Sequence, residues 1–340
     1  MGYQEAIQAI NQNDIQAIYT LLGKEYFLIQ EFRETLMKNV ERYYSDLDIS
    51  VLDYREVTMD QVLDEAESFS FLAELRLVMV EEADFISSNP QKKLTIAEEK
   101  RLQAYLKDPN PGTCLVFLMP YEKVDKRRKL TQQIQKYSQF IEVLALEERE
   151  LRRYLKDYIK TASLNVTKEA FEELLTRSNF QLSQTMAEIK KLEQYAQNNE
   201  TINLEVVKNL VTRSLESNIF ELTDAILRRR FVDAIQIYQD LILMKNDPLA
   251  LQALIISQFR LILQVQILFA AGQNQGEMAK SLNVHPYRVK LAMNYATSMD
   301  RQDLESLYRS LIEADFFIKT GKVQADTSFY LILSQLAHSQ

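Results

Sequence analysis

The chain has 340 residues, of which 46% are hydrophobic, and at roughly 100 to 200 residues per domain it should form two or three domains with sizeable cores. Its formal net charge of −8 at pH 7 excludes a protein that coats nucleic acid through bulk charge, so any contact with DNA must be local or assisted by partners. Its single cysteine, Cys114, excludes an internal disulfide and a cysteine-rich zinc site and suits a reducing compartment, so a cytoplasmic protein is expected.

Neither the N-terminus nor the most apolar stretch predicts export or a membrane span. Residues 1–13 are polar and lack the basic start and the apolar run of a secretion signal. The stretch Leu251–Gly272 is apolar, but Arg260 and several glutamines interrupt it, which is typical of a packed helix. We therefore expect no contact with a membrane.

Short apolar runs typical of buried strands alternate with helical patterns in the first 145 residues. One helical stripe runs through Leu28, Phe32 and Leu36. Strands that alternate with helices predict a parallel, doubly wound sheet. The five strand-like runs are Ile18–Leu22, Ile49–Leu52, Leu77–Val80, Cys114–Met119 and Phe140–Val143.

The second half of the chain has long stretches without helix breakers. No glycine lies between Gly112 and Gly272, and no proline lies between Pro120 and Pro248, so helices can run there uninterrupted. Apolar residues three and four apart, as in Leu222–Leu243, predict that this half is all helical.

Two domain boundaries follow from these patterns. The period changes from strand to helix near residues 143–147, and a polar break separates helical stripes near residues 211–217. The sequence therefore predicts three domains, which are residues 1–145, residues 146–213 and residues 214–340.

Gly23 and Lys24, in the turn after the first strand, look like the remnant of a phosphate-binding loop. The working motif is G-x-x-x-x-G-K-[ST], in which backbone N–H groups cradle the phosphates and the hydroxyl holds magnesium. Here the loop is too short, and the carboxylate of Glu25 follows the lysine and would repel phosphate. We therefore expect a tight strand-to-helix turn and no nucleotide hydrolysis by this chain.

Acidic residues end the third strand, at Glu81, Glu82 and Asp84. In ATPases a similar acidic motif positions magnesium and water. Without a phosphate loop the motif has no nucleotide to serve, so solvated carboxylates at the end of a strand are the favoured interpretation. A divergent ATPase that uses Lys24 and Glu82 is an alternative hypothesis.

The connection Ser68–Arg76 is unusually apolar for a segment between a helix and a strand. It contains Phe69, Phe71 and Leu72, whereas loops normally run over the surface. Large apolar side chains in such a segment either fill the core or anchor the chain in a pocket of a partner. The residues alone favour core filling.

Basic residues follow the fourth strand in the segment Glu122–Lys129. A phosphate contact is one interpretation. A solvated start to the next helix is favoured, because basic runs on exposed helix faces are common.

Residues 278–294 match the apolar spacing of a DNA-reading helix-turn-helix. The pattern has a small Ala279, a turn at Asn283 and a core residue at Val289. It mainly reflects how two helices pack, so plain packing is favoured and a DNA-binding regulator is the alternative.

The sequence contains no catalytic or metal-binding constellation. His285 has no histidine partner nearby, since the other histidine is His338, which argues against a metal pair and a histidine relay. Serine nucleophile elbows, dinucleotide glycine fingerprints and zinc-protease motifs are absent. We expect no catalytic residue, no metal and no cofactor.

Blocks along the whole chain resemble the delta subunits of the bacterial DNA polymerase III clamp loader. Their order and spacing together make the resemblance specific. The blocks are Tyr19–Leu28, Phe71–Val78, Lys123–Arg127, Ile189–Tyr195, His285–Lys290 and Glu313–Gly321. The resemblance implies a degenerate AAA+-like parallel-sheet domain with a clamp-binding element, a small helical lid domain and a helical collar domain.

In that family the loader places the ring-shaped sliding clamp on primed DNA, and delta engages the ring and opens it without hydrolysing ATP. The resemblance places the clamp-binding pair at Phe71 and Leu72, flanked by Phe69, and so reverses the preference for core filling. It implies four partners, which are the beta clamp, the gamma or tau subunits, delta prime and primed DNA. Lys319 and Lys322 lie in or beside the last block and are candidates for contact with the DNA.

Overall fold

The computed structural model describes residues 2–44, 47–68, 74–121, 123–196, 200–297 and 299–338. The chain divides into two compact units, a first unit of residues 1–146 and a second unit of residues 147–340. The further division of the second unit into residues 146–213 and 214–340 stays a prediction.

The first unit is built on a five-stranded parallel sheet with the strand order β2-β3-β4-β1-β5. The strands are β1 (Ile18–Leu22), β2 (Leu47–Asp53), β3 (Leu75–Glu81), β4 (Thr113–Met119) and β5 (Gln139–Glu142). The helices are α1 (Tyr3–Asn11), α2 (Tyr26–Tyr43), α3 (Met59–Glu67), α4 (Ile96–Lys107) and α5 (Lys129–Tyr137).

The central strands of the sheet are buried on both faces, as their apolar runs require, whereas the edge strand β2 exposes Ile49 and Val51. Every residue of β1 and β4 is buried, including Cys114 at the start of β4. Helices cover the sheet, and α2 buries Leu28, Phe32 and Leu36, the predicted stripe. The predicted parallel sheet is therefore confirmed, and β1 has the predicted bounds.

Helix α1 is an element that the sequence patterns did not predict. Its nine residues mix polar side chains with Ala6, Ile7, Ala9 and Ile10, of which Ala6 and Ile10 are buried. The Tyr3 hydroxyl donates a hydrogen bond to the Leu28 carbonyl at 2.9 Å. The helix is shorter than the window of roughly 11 to 18 residues over which a helical period is distinct.

The second unit is helical, with one isolated bridge between Val166 and Ile202. Its first helices are α6 (Glu148–Thr161), α7 (Lys168–Arg177), α8 (Leu182–Tyr195) and α9 (Leu204–Leu210). The remaining helices are α10 (Leu215–Leu227), α11 (Phe231–Leu243), α12 (Pro248–Ala270), α13 (Gln275–Leu282), α14 (Pro286–Ala296), α15 (Arg301–Lys319) and α16 (Ala325–His338).

Helix α12 is the central helix of the second unit. Its buried residues include Ile255, Phe259 and Ile262, in one core with residues of α10, α14, α15 and α16. Among the described residues it is the helix that could span a membrane by length and composition, a test that buried core helices also pass. The buried Gln252 donates to the Leu311 carbonyl at 3.3 Å, as expected for a packed helix.

The predicted helical stripe Leu222–Leu243 is divided between two helices. Helix α10 ends at Leu227, and Arg229 adopts a left-handed conformation with φ of 54°. Arg228 and Arg230 both pair with Asp224, which stabilises the turn. Non-glycine residues seldom adopt this conformation, so the break could not be predicted from composition.

The segment that resembles a helix-turn-helix forms α13 and α14. Asn283 joins them in a left-handed conformation with φ of 53°, and Ala279 and Val289 are buried. Asparagine tolerates this conformation at the end of a helix better than most residues do. The predicted turn and core positions are confirmed.

Candidate functional site

The turn after β1 closes the position where a phosphate loop would hold its ligand. The Gly23 N–H donates to the Met119 carbonyl at 3.0 Å, and the Glu25 N–H donates to the Val143 carbonyl at 3.0 Å. In a phosphate loop such N–H groups point at the phosphates. Here the backbone carbonyls of Met119 and Val143 accept these two hydrogen bonds, so these N–H groups are not available to an anion.

Gly23 is required by the close approach of this turn to the end of β5. Its φ is 146°, and a Cβ atom there would lie 2.1 Å from the Val143 carbonyl oxygen. No side chain fits at that distance, and L-residues rarely adopt such a φ. The glycine of the motif is therefore retained for packing between strands, while the Lys24 side chain is exposed.

The carboxylates at the end of β3 take part in local contacts. Glu81 pairs with Arg33 in α2 at 2.8 Å, and an Asp84 oxygen accepts from the Gln91 N–H at 2.5 Å. Glu82 has a φ of 54° and lies 4.0 Å from Arg55. Within the described ranges, no three histidine, cysteine or acidic side chains come together to hold a metal ion.

The predicted clamp-binding residues Phe69, Phe71 and Leu72 lie outside the described residues. The described chain stops at Ser68, just after α3, and resumes at Glu74, just before β3. The structure therefore describes both ends of the connection that carries them.

Arg76 in β3 ties the flanks of this connection together. Its guanidinium pairs with Glu65 in α3, donates to the hydroxyl of Ser68 and lies 3.4 Å from the carboxylate of Asp48. The side chain is only 12% exposed, so its ion pairs are partly shielded from water. Sequence reasoning missed these contacts of Arg76, for which the only sequence signal is a lone arginine inside an apolar strand.

The basic segment before α5 is held against residues 85–87 by its backbone and by Arg128. Arg128 donates to the Phe85 carbonyl at 2.8 Å and pairs with Glu99 at 3.4 Å, whereas the side chain of Arg127 is 95% exposed. The favoured interpretation, a solvated start to a helix, agrees with this geometry.

Lys319 and Lys322, the candidates for DNA contact, lie at the end of α15. The ammonium of Lys319 pairs with Asp315 at 2.7 Å, and that of Lys322 lies 5.4 Å from the ring centroid of Phe317. Phe316 and Phe317 are 57% and 40% exposed. This helix end combines cations with exposed rings, a combination that can contact phosphates and stack on bases.

The start of α14, where a recognition helix would contact bases, is used for packing inside the second unit. The ring of Tyr287 lies 4.0 Å from the ring of Phe180, and Arg288 donates to Gln258 in α12. A recognition helix needs these N-terminal side chains free to enter the major groove. The geometry therefore favours the packing interpretation of residues 278–294.

His285 caps α14 in its neutral form. Its Nδ1 accepts a hydrogen bond from the Tyr287 N–H at 3.2 Å, and its buried Nε2 has no hydrogen-bond partner among the described residues. The ring stacks on Phe180 at 5.8 Å. Burial lowers the pKa of His285, and the nearby carboxylate of Glu148 opposes this shift.

We expect acid to destabilise the second unit through His285. Because the folded pKa is below the ordinary value of about 6.5, the unfolded chain binds the proton more tightly, and stability falls as pH drops through about 6.5. His285→Asn keeps a side chain that can cap α14. It should remove the part of the stability loss that comes from protonation of His285. Urea unfolding at pH 7.5 and pH 5.5 measures the change in the free energy of unfolding, with His338→Asn as the control. Equal pH dependence in all three chains would contradict the expectation.

Together, these features define a parallel-sheet α/β protein in which backbone carbonyls accept hydrogen bonds from the turn after β1, followed by a helical unit. Residues 19–144 match the family model for the DNA polymerase III delta subunit, and residues 216–336 match the model for its C-terminal domain.

Relatives match the chain over nearly its whole length. It is 36% identical to a DNA polymerase III subunit delta of Bacillus subtilis, over 97% of this chain and 95% of the relative. It is 23% identical to a probable DNA polymerase III subunit delta of Aquifex aeolicus, over 89% and 86% of the two chains. The solved structure of a Bacillus subtilis DNA clamp loader delta protein is 35% identical, covers 98% of this chain and 99% of its own, and has a TM-score of 0.71. The chain belongs to the family of DNA polymerase III delta subunits.

Proposed function

We propose that this chain binds the sliding clamp of DNA polymerase III and holds the ring open while the clamp is loaded onto primed DNA in the cytoplasm. The observation that carries the proposal is the 36% identity to a subunit delta over 97% of the chain. The similar protein of known structure is described as a DNA clamp loader protein, which supports the same role.

The proposed contact with the clamp is the apolar pair Phe71 and Leu72, flanked by Phe69. Burial of two large apolar side chains contributes about 3 to 6 kcal/mol, at roughly 1.5 to 3 kcal/mol each. Only part of this appears as affinity, because association also costs translational and side-chain entropy. Arg76 supports the proposal, since a connection whose flanks are already held together loses less freedom when it binds.

Ring opening requires a difference in affinity between two states of the clamp. A ligand that binds the open and closed ring equally shifts nothing, however tightly it binds. We therefore propose that the contact surface fits the open ring better than the closed one.

We propose that the chain hydrolyses no ATP and that other loader subunits, gamma or tau together with delta prime, supply the ATP-dependent step. The closed turn supports this, because the N–H groups of Gly23 and Glu25 donate to backbone carbonyls. Helical lid and collar domains at residues 146–213 and 214–340 remain part of the proposal, with the collar joining the other subunits. Lys319 and Lys322 are the proposed DNA contacts.

Equilibrium dialysis of the full chain against labelled magnesium-ATP is expected to detect no binding at cellular ATP concentrations. The physical reason is that the N–H groups of Gly23 and Glu25 already donate to backbone carbonyls, and that Glu25 follows Lys24 where the motif has a magnesium-binding hydroxyl. Lys24→Ala is the matched control and should give the same result. Saturable binding that Lys24→Ala removes would instead support the divergent ATPase.

Retention on the immobilised cognate clamp tests the main proposal. We expect the full chain to be retained either alone or after reconstitution with the other loader subunits. A chain that binds the clamp in neither form would sink the proposal.

A further inference from the structure

A small pocket lies inside the second unit, between the α7–α8 turn and the helices α10, α12 and α14. Its volume is about 150 Å³. Pockets for drug-sized ligands begin at roughly 300 Å³, while each water in the liquid occupies about 30 Å³. The pocket therefore suits a small ion with a few water molecules.

Two side chains in the wall of this pocket carry N–H groups without an acceptor. Arg288 donates one hydrogen bond to the Gln258 Oε1 at 3.2 Å, and the carboxylate of Glu216 attracts its charge without forming an ion pair in the described part of the chain. Gln258 is 4% exposed, and its buried Nε2 has no partner in the described part of the chain. An amide flip would set two donors against each other, so the orientation of Gln258 is determined.

Buried donors without acceptors are costly, which makes this arrangement informative. The partly buried guanidinium, which forms no ion pair with its counter-charge Glu216, and the buried amide without an acceptor both lose contacts with water. Burial lowers the pKa of Arg288, although an arginine stays charged at neutral pH. An anion in the pocket would satisfy both donors.

The start of α10 adds a positive end and one acceptor to the same pocket. Ser217 and Glu216, in the first turn of α10, line it. The Ser217 N–H donates to the capping hydroxyl of Ser214 at 3.0 Å, while the helix dipole still places partial positive charge at this end of α10. The Glu216 carboxylate, in contrast, can accept a hydrogen bond but repels an anion.

Backbone strain lies at the opposite wall. Asn179, which lines the pocket, and Phe180 adopt left-handed conformations with φ of 51° and 55°. Each costs free energy and persists only where the surroundings hold it. The stacking of Phe180 on Tyr287 holds this turn against α14, so the wall of the pocket is rigid.

We propose that this pocket binds inorganic phosphate, with Arg288 and Gln258 donating to its oxygens and Glu216 accepting a hydrogen bond from its P–OH group. At neutral pH phosphate retains a hydroxyl and can both accept and donate. Sulfate carries no proton there and would meet only repulsion from Glu216. The pocket should therefore select phosphate over sulfate.

Isothermal titration of the full chain with sodium phosphate and sodium sulfate tests this at pH 7 and constant ionic strength. We expect phosphate to bind at least about tenfold more tightly than sulfate, since a charge-assisted hydrogen bond is replaced by repulsion. Glu216→Gln should remove this selectivity by improving the binding of sulfate. Arg288→Gln should weaken phosphate binding at least about tenfold.

Gln258→Glu keeps the proposal testable if Arg288→Gln does not fold. This variant replaces the unpaired donor with a carboxylate oxygen and keeps an acceptor for Arg288, so it should fold at least as well as the original chain while binding phosphate more weakly. Acetate serves as a probe for carboxylates, and stronger binding of acetate than phosphate would overturn the assignment of the ligand. Absence of phosphate binding in both the original chain and Glu216→Gln would overturn the site itself.

Discussion

Replacing Phe71 and Leu72 together with alanine is expected to weaken binding to the cognate clamp at least about 100-fold. The lost contact is worth about 3 to 6 kcal/mol before the costs of association, and 100-fold corresponds to about 2.7 kcal/mol. Surface plasmon resonance on the immobilised clamp measures the change. Ile96→Ala is the matched control, because Ile96 is an apolar side chain of the same unit that is 80% exposed.

Thermal unfolding of the same double variant separates the two interpretations of this segment. If the pair fills the core, truncation should cost several kcal/mol, since Leu→Ala and Phe→Ala in cores each cost about 2 to 5 kcal/mol. If the pair anchors the clamp, stability should barely change. Unchanged clamp affinity together with a large loss of stability would reject Phe71 and Leu72 as the contact.

Gly23→Ala is expected to destabilise the first unit by about 3 kcal/mol or more. The added Cβ would meet the Val143 carbonyl oxygen at 2.1 Å and its carbon at 2.4 Å, and both are backbone atoms that cannot rotate away. The turn or β5 must therefore move. At roughly 2 to 4 °C per kcal/mol for a unit of this size, the unfolding temperature should fall by about 10 °C.

The matched control for this prediction is Gly112→Ala. Gly112 lies in the same unit, and the atom nearest to an added Cβ there would be the side-chain oxygen of Asn110, at 3.6 Å. We expect this control to change stability by less than about 1 kcal/mol. Equal stabilities of the two variants would show that the close approach at Gly23 is not required.

Local sequence patterns predicted the sheet because each buried strand corresponds to one continuous run of apolar residues. The run Ile18–Leu22 is apolar throughout, and β1 occupies those residues, buried on both faces. The break between α10 and α11 escaped prediction because it depends on Arg229 in a left-handed conformation, which side-chain polarity does not reveal. Helix α1 escaped because its nine residues are fewer than the roughly 11 to 18 over which a helical period is distinct.

The candidate site residues also divide into those that the sequence revealed and those that only the structure revealed. Gly23 and Lys24 were recognisable because a phosphate loop has a fixed spacing, and the resemblance located Phe71 and Leu72. The role of Arg76 was not predictable, since its partners lie on other elements of the sheet unit. The pocket at Arg288 is formed by residues of α7, α10 and α12 as well. The spacing of residues within one segment cannot predict a pocket formed by several helices.

The burial of Cys114 in β4 has a practical consequence for labelling. It is the only cysteine of the chain, and burial raises the pKa of its thiol to about 12, so almost none of it is the reactive thiolate at neutral pH. A cysteine introduced at an exposed position, such as Ile96→Cys, would react with a maleimide dye or spin label in its place. A single introduced cysteine can therefore be labelled selectively without replacing Cys114.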